Sequence, residues 1–311
     1  MFSALTQPSY PKSAIGIERD QVTAVALQRS GGAYGVKQAA TVDLPTGLID
    51  PSFIEKNISD PQQFMVLLED AVSLAGLLNQ RTWSVSLPSN TARTAILTLE
   101  NGTGAKGELE DILDWKAEQT FGVSAGELRI NRYKIPNDAE GRTRYLSTAV
   151  KLAVIDEYET IFESMGWRAG LILPRAVSET KWLLNSDPSI DSLLISLQDD
   201  GFTALLLKGG EPNVVRSVTC TPAERNDEIY RLLMFYNDRF SEASGSNRLN
   251  RFLIVGRDVP ETTIGNIATE ALGRSLTPLM PYEVGLEIPV GGNLSFEALA
   301  APAGLATLGW R

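Results

Sequence analysis

The stretch from Ala14 to Leu44, AIGIERDQVTAVALQRSGGAYGVKQAATVDL, decides the fold. Residues 14–18 and 22–29 carry the apolar or alternating patterns of strands, and Arg19-Asp20-Gln21 makes a tight turn between them. Ser30-Gly31-Gly32 supplies the positive φ that a hairpin wants, and 34–42 follows as a third strand. A helix comes next: Asp60 is its N-cap and Pro61 its first residue, while Phe64, Leu67, Leu68, Ala71, Leu74 and Leu78 recur at three- and four-residue spacing.

The same order returns in DSLLISLQDDGFTALLLKGGEPNVVRSVTC, residues 191–220. It reads as a strand at 192–197, a turn at Gln198–Gly201, a strand at 202–207, a Gly209-Gly210 turn and a strand at 213–219. Thr221-Pro222 then opens a helix whose apolar face is Ile229, Leu232, Leu233, Tyr236 and Phe240. Few identities are shared, but order and spacing are, which points to a duplicated β-β-β-α unit.

Between the copies, WSVSLPSNTARTAILTL (83–99) offers two strands, and GELEDILDWKAEQTF (107–121) a helix with Leu109, Ile112, Leu113 and Ala117 inward. LRINRYKI (128–135) and RYLSTAVKLAV (144–154) are strands joined by a polar turn, and IDEYETIFESMG (155–166) is a helix closed by Gly166. RAGLILP (168–174) and RAVSETKWLL (175–184) follow as strand and helix. The expected division is a tail at 1–11, a first lobe at 12–83 and 167–188, an inserted α/β subdomain at 84–166, and a second lobe at 189–311.

Composition narrows the chemistry. The chain has no histidine, which removes His-based acid–base catalysis, His-activated nucleophiles and His-rich zinc sites. One cysteine, Cys220, rules out an intrachain disulfide and suits a reducing compartment. A net charge of −10 would repel nucleic acid and anionic lipid, so neither is expected as a ligand. The opening MFSALTQPSYPKS is not read as a secretory signal, and no stretch offers the roughly 18 consecutive apolar residues of a membrane span. Membrane association is therefore expected only through partners.

Four segments in register carry a resemblance: IGIERDQVTAVALQRSGG, VSLPSNTARTAILTL, LAVIDEYETIFESMGWRAGLILPRAVSETKWLL and the ending APAGLATLGWR. Together they resemble the actin-like PilM family of type IV pilus assembly proteins, relatives of FtsA; the cytoplasmic part of type II secretion GspL is a close cousin. The resemblance implies an α/β, actin-like (ribonuclease H-like) two-lobed fold with an FtsA-type insertion in its first lobe. It also implies a cytoplasmic scaffold, peripheral at the inner membrane, that captures the N-terminal cytosolic tail of a PilN-like bitopic protein and meets other pilus or secretion inner-membrane components. In the family that tail lies between the insertion and the first lobe, a region to which Leu87, Arg93, Ile96 and Leu97 are assigned as candidate contacts.

In actin-like ATPases the two β-β turns embrace the nucleotide phosphates, because Gly, Ser and Thr let backbone N–H groups approach. The corresponding residues here are Glu18, Asp20, Gln21 and Thr23 in the first turn, Asp199, Asp200 and Gly201 in the second, and Gly256 in the adenosine element. The first turn has no glycine after Gly16 and carries Val22; the second presents two carboxylates, which repel phosphate unless a cation intervenes. Arg257 follows Gly256, and SVTCTPAERN lacks paired glycines. The expectation is a vestigial cleft without cofactor, metal or catalytic residue; the alternative is an ATPase whose lobes close on Mg-ATP.

Three further features have simpler explanations. Glu108, Glu110, Asp111 and Asp114 suit the start of a helix dipole, Cys220 reads as a buried thiol, and Ser244–Asn247 reads as a loop.

Overall fold

The computed structural model describes residues 9–100, 106–184, 190–240, 249–257, 260–289 and 294–310. Most of the expected tail and the Ser244–Asn247 loop lie outside the described residues. From the N-terminus, β1 (Ser13–Ile17), β2 (Gln21–Ser30) and β3 (Ala33–Asp43) form a meander, followed by α1 (Pro61–Leu74) and β4 (Thr82–Leu87). Then come β5 (Arg93–Leu99), α2 (Lys106–Phe121), β6 (Leu128–Ile135), β7 (Thr143–Lys151), α3 (Leu152–Ser164), β8 (Arg168–Pro174), α4 (Arg175–Glu179) and α5 (Lys181–Leu184). A second meander, β9 (Asp191–Gln198), β10 (Gly201–Lys208) and β11 (Glu211–Thr219), precedes α6 (Arg225–Phe240), β12 (Leu249–Val255), α7 (Glu261–Leu272), β13 (Leu286–Glu287) and α8 (Phe296–Ala306).

The chain packs into two compact units, one of Met1–Ala92, Val150–Ser178 and Gly285–Arg311, the other of Arg93–Ala149 and Glu179–Val284. The first holds a six-stranded sheet in the order β13-β3-β2-β1-β4-β8. Neighbours β1 and β2, and β2 and β3, are antiparallel, whereas β1–β4 and β4–β8 are parallel. The second unit repeats this plan as β11-β10-β9-β12, with two antiparallel pairs and β12 parallel to β9. The duplicated unit is therefore present in strand order as well as in strand count.

Local chemistry explains the elements. Asp60 caps α1 by accepting from the N–H groups of Gln62 and Gln63 at 3.0 Å each. Phe64, Leu68, Ala71 and Val72 form its buried face, and burying each of the two larger ones stabilises by about 2 kcal/mol. Leu74 and Leu78, expected on that face, are 71% and 46% exposed because the helix ends at Leu74 and its buried stripe continues through Ala75. In the second unit, Ile229, Leu232, Leu233 and Tyr236 of α6 meet Ile264, Ala268 and Leu272 of α7 in one core with β9, β10 and β12. Helix α6 starts at Arg225, three residues after the expected Thr221-Pro222 opening; Thr221–Glu224 form a turn in which the Glu224 N–H donates to the Thr221 carbonyl at 3.1 Å and the Glu224 carboxylate accepts from the Thr221 N–H and hydroxyl. RAVSETKWLL forms two short helices rather than one.

The boundaries differ from the expected division in five places, two of which are that Arg93–Ala149 of the insertion and the stretch from Glu179 to Leu184 fall in the second unit. Strand β4 belongs to the first sheet, α3 packs in the first unit's core, and Gly285–Arg311 returns to the first unit. Helix α8 explains the last: its small residues let it lie close on β1, β2 and β4. A Cβ on Gly16 would stand 2.8 Å from Pro302 of that helix. Its extension ends with Trp310, over whose ring the Lys12 ammonium sits at 4.0 Å.

The inserted segment makes its own sheet, β5-β7-β6, with α2 against β5. Arg93, Ala95, Leu97 and Leu99 share one face, which α2 covers, and Thr94, Ile96 and Thr98 share the other.

Candidate functional site

The first β-β turn closes tightly. Ile17 stands opposite Val22, and the Glu18 N–H donates to the Gln21 carbonyl at 2.9 Å. The Glu18 carboxylate accepts from Arg175 Nη1 at 3.1 Å, with the two side chains only 17% and 7% exposed. Arg175 is the first residue of α4, which β8 delivers to this turn. Asp20 is exposed and its carbonyl accepts from Leu44 N–H at 2.7 Å, while Arg19 pairs with Asp50 at 3.4 Å in solvent. Gln21 and Thr23 are buried; the Thr23 hydroxyl lies 2.9 Å from that of Thr41 across the sheet, and Val22 belongs to the core.

The second turn has the same construction in the other unit. Gln198 stands opposite Gly201, leaving Asp199 and Asp200 exposed at its tip. Arg225, at the start of α6, donates to the Gln198 carbonyl at 2.9 Å, and Cys220 N–H donates to the Asp200 carbonyl at 3.0 Å. Burial pushes the Cys220 thiol above its ordinary value, which Arg225 only partly offsets, so the thiol stays protonated. Glu224 is held below the usual carboxylate range by the Thr221 backbone and hydroxyl hydrogen bonds.

Both glycines assigned to the cleft have packing reasons. Gly201 has φ +147° and a Cβ there would lie 1.9 Å from the Val218 carbonyl oxygen. Gly256 has φ +153° and its Cβ would fall 2.4 Å from the Leu197 Cβ. Chemically, then, each turn offers carboxylates at or near its tip and an arginine engaged with the turn itself. A phosphate cradle needs convergent backbone N–H groups, and those of Glu18 and Cys220 are committed to turn carbonyls. Among the described residues no three Asp, Glu or Cys side chains are grouped to hold a metal.

The residues assigned to tail capture separate. Leu87 is 1% exposed within the first unit's core, and Leu97 is 3% exposed on the face under α2. The Arg93 guanidinium donates to the Phe121 carbonyl at 2.6 Å, placing its charge at the negative end of α2. Ile96, half-buried opposite Leu146, is the one apolar residue of the four on the sheet face away from α2.

Sequence reading missed a buried polar cluster centred on Asn57. Its amide donates to the carbonyls of Ser52 and Glu55 at 2.8 Å each, and its oxygen accepts from the hydroxyls of Thr91 at 2.6 Å and Tyr158 at 3.1 Å. Glu157 closes the cluster by accepting from the N–H groups of Asn57 and Ile58. Burial drives the Tyr158 hydroxyl's pKa well above its ordinary value, so it remains a donor. An isolated Asn in EKNISD carries no periodic signal that would single it out.

Solved structures place this architecture. A protein of Bacteroides thetaiotaomicron described as having an actin-like ATPase fold matches over 99% of both chains, with a TM-score of 0.50 and 11% identity. The fold is the actin-like one. A stronger match within it is the structure titled "PilM-PilN type IV pilus biogenesis complex": TM-score 0.72 over 98% of this chain and 100% of that one, at 15% identity. The cytoplasmic domain of EpsL, an inner-membrane component of the Vibrio cholerae type II secretion system, is a more distant match, with a TM-score of 0.43 over 85% of this chain and 96% of that one at 12% identity. No family model matches the sequence, and no curated protein does.

Proposed function

We propose that this chain is an actin-like adaptor of a type IV pilus assembly machine that captures the N-terminal cytosolic tail of a PilN-like inner-membrane protein. The observation that carries this reading is the whole-length likeness to the chain of the PilM–PilN complex, stronger by far than the likeness to the protein described as an actin-like ATPase fold. On this reading the protein works in the cytoplasm and reaches the inner membrane, and other machine components there, through its partners. Among the described residues no helix is long and apolar enough to cross a membrane. An extended tail suits a site of strand edges and partly buried side chains, and the face bearing Ile96 and Leu146 supplies such side chains.

The same reading assigns no nucleotide to the turns. Its support is chemical: carboxylates at Asp199 and Asp200, arginines engaged by Glu18 and the Gln198 carbonyl, and glycines required by packing. Thermal-shift titrations test both halves. A synthetic peptide carrying the cytosolic residues of the same organism's PilN-like protein raises the melting temperature, because a ligand at 100 times its Kd stabilises by about 2.7 kcal/mol. Mg-ATP at millimolar concentration leaves it unchanged. Stabilisation by Mg-ATP at sub-millimolar levels, with none by the peptide, would reverse the assignment in favour of an ATPase.

A further inference from the structure

The insertion interrupts the first unit in sequence, yet Arg93–Ala149 pack in one compact unit with the second meander. Within that unit β5 lies beside β11, the edge strand of the β11-β10-β9-β12 sheet. The edge is built for this contact. Pairing between β10 and β11 shifts where Leu206 faces Val214 but Leu207 faces Pro212, so Asn213 is the extra residue of a β-bulge. Pro212 has no N–H to offer a neighbouring strand, and the bulge takes carbonyls out of the ladder.

Arg144 takes those carbonyls. It stands on β7 opposite Thr98 of β5, is 8% exposed, and donates through Nη2 to the Pro212 carbonyl at 3.0 Å and the Asn213 carbonyl at 3.5 Å. Burying a guanidinium is costly, and the Nη2 bonds to these two carbonyls offset that cost while Nε is buried without a partner. Both bonds come from the one nitrogen Nη2, whose two N–H groups meet adjacent carbonyls at the end of a side chain one bond longer than lysine's, so a lysine ammonium falls short of them.

We propose that the insertion is carried by the second meander and not by the unit its chain interrupts, with Arg144 as the positioning residue that joins them. This inference deepens the tail-capture reading and rests on it in one respect: a tail held on the face of Ile96 and Leu146, which Arg144 and Thr98 share, is felt at β11. Occupancy of the insertion is thereby reported to the second actin-like repeat.

Hydrogen exchange on the full chain tests it in two arms. In the first, Arg144→Lys and Arg144→Met are compared with the parent without ligand, circular dichroism confirming that each is folded. Exchange is expected to rise about tenfold in both 94–98 and 211–216, the effect of losing a hydrogen bond to a charged group, with β1 and β2 unchanged. Unaltered exchange at 211–216, or acceleration confined to 94–98 and 143–148, overturns the joint. In the second arm the PilN-like peptide slows exchange at 94–98 and 211–216 in the parent but only at 94–98 in Arg144→Lys. Slowing at 94–98 alone in the parent overturns the relay and leaves tail capture standing. A peptide that binds nowhere removes tail capture, and the joint is then decided by the first arm.

Discussion

Replacing Asn57 by Ala is expected to destabilise the first unit by about 4 kcal/mol. The side chain has four hydrogen-bond partners. The carbonyls of Ser52 and Glu55 belong to partly and fully exposed residues and regain water at little cost. The hydroxyls of Thr91 and Tyr158 do not, because both residues are 0% exposed. Each orphaned buried polar group costs about 1–3 kcal/mol, so the two together cost about 2–6. That is a large fraction of the roughly 5–15 kcal/mol that holds an ordinary domain together. Urea unfolding read by tryptophan emission reports on this unit, since Trp83 and Trp167 lie 5.6 Å apart in its core. Adding Thr91→Val and Tyr158→Phe to Asn57→Ala removes the orphaned hydroxyls and should recover about half the loss. A loss below about 1 kcal/mol, or no recovery in the triple variant, would show that the cluster does not hold this region. The consequence reaches beyond stability: Thr91 sits just before the chain leaves the unit at Ala92, and Tyr158 follows its return at Val150.

Two further outcomes are expected. Gly201→Ala should cost more than about 3 kcal/mol, because its Cβ would meet the Val218 carbonyl oxygen at 1.9 Å, whereas Gly31→Ala, with nothing within 4 Å, should cost about 1 kcal/mol for its positive φ alone; equal losses in chemical denaturation would refute the packing account. Asp138 is subject to burial, which raises its pKa, but hydrogen bonds from the Arg142 backbone and guanidinium outweigh it and hold the carboxyl below the ordinary aspartate value. A depressed folded pKa means the 138–142 turn is stabilised above the unfolded value and loosens only as pH falls through the folded one. The Arg142 amide, which donates to Asp138 at 2.8 Å, should titrate by NMR with a midpoint below that of an aspartate in an unfolded peptide, and a midpoint at or above it would contradict the assignment.

How much of this was legible depended on how local the signal is. The strands of both meanders fall within one or two residues of their expected bounds, because alternation and Gly or Asp turns are set by neighbouring residues. The α1 cap was legible for the same reason, whereas the burial of Leu74 and Leu78 depended on where α1 stops and was misjudged. Unit boundaries were misplaced because membership is decided at long range: Gly16 admits Pro302, and nothing in either local sequence announces the pairing. Leu87 was assigned to a surface on the strength of its neighbours, but both faces of β4 are covered, a feature of parallel central strands. Arg144 sits in an ordinary alternating strand, and its acceptors are main-chain atoms created by a bulge in another strand.

The glycines sort the turn residues by cause. Gly16, Gly201 and Gly256 each admit a side chain or carbonyl that any Cβ would strike, so the fold requires them whether or not a ligand is present. The positions where only a close-lying phosphate would demand an open backbone are filled otherwise, by Val22 in the first turn and by SVTCTPAERN before α6. The arginines at the two turns face inward on Glu18 and on the Gln198 carbonyl, and thereby stiffen the hairpins that the paired strands begin. Selection for packing alone keeps the first set and releases the second, which is the pattern expected on the proposal that this chain is an adaptor that takes no nucleotide.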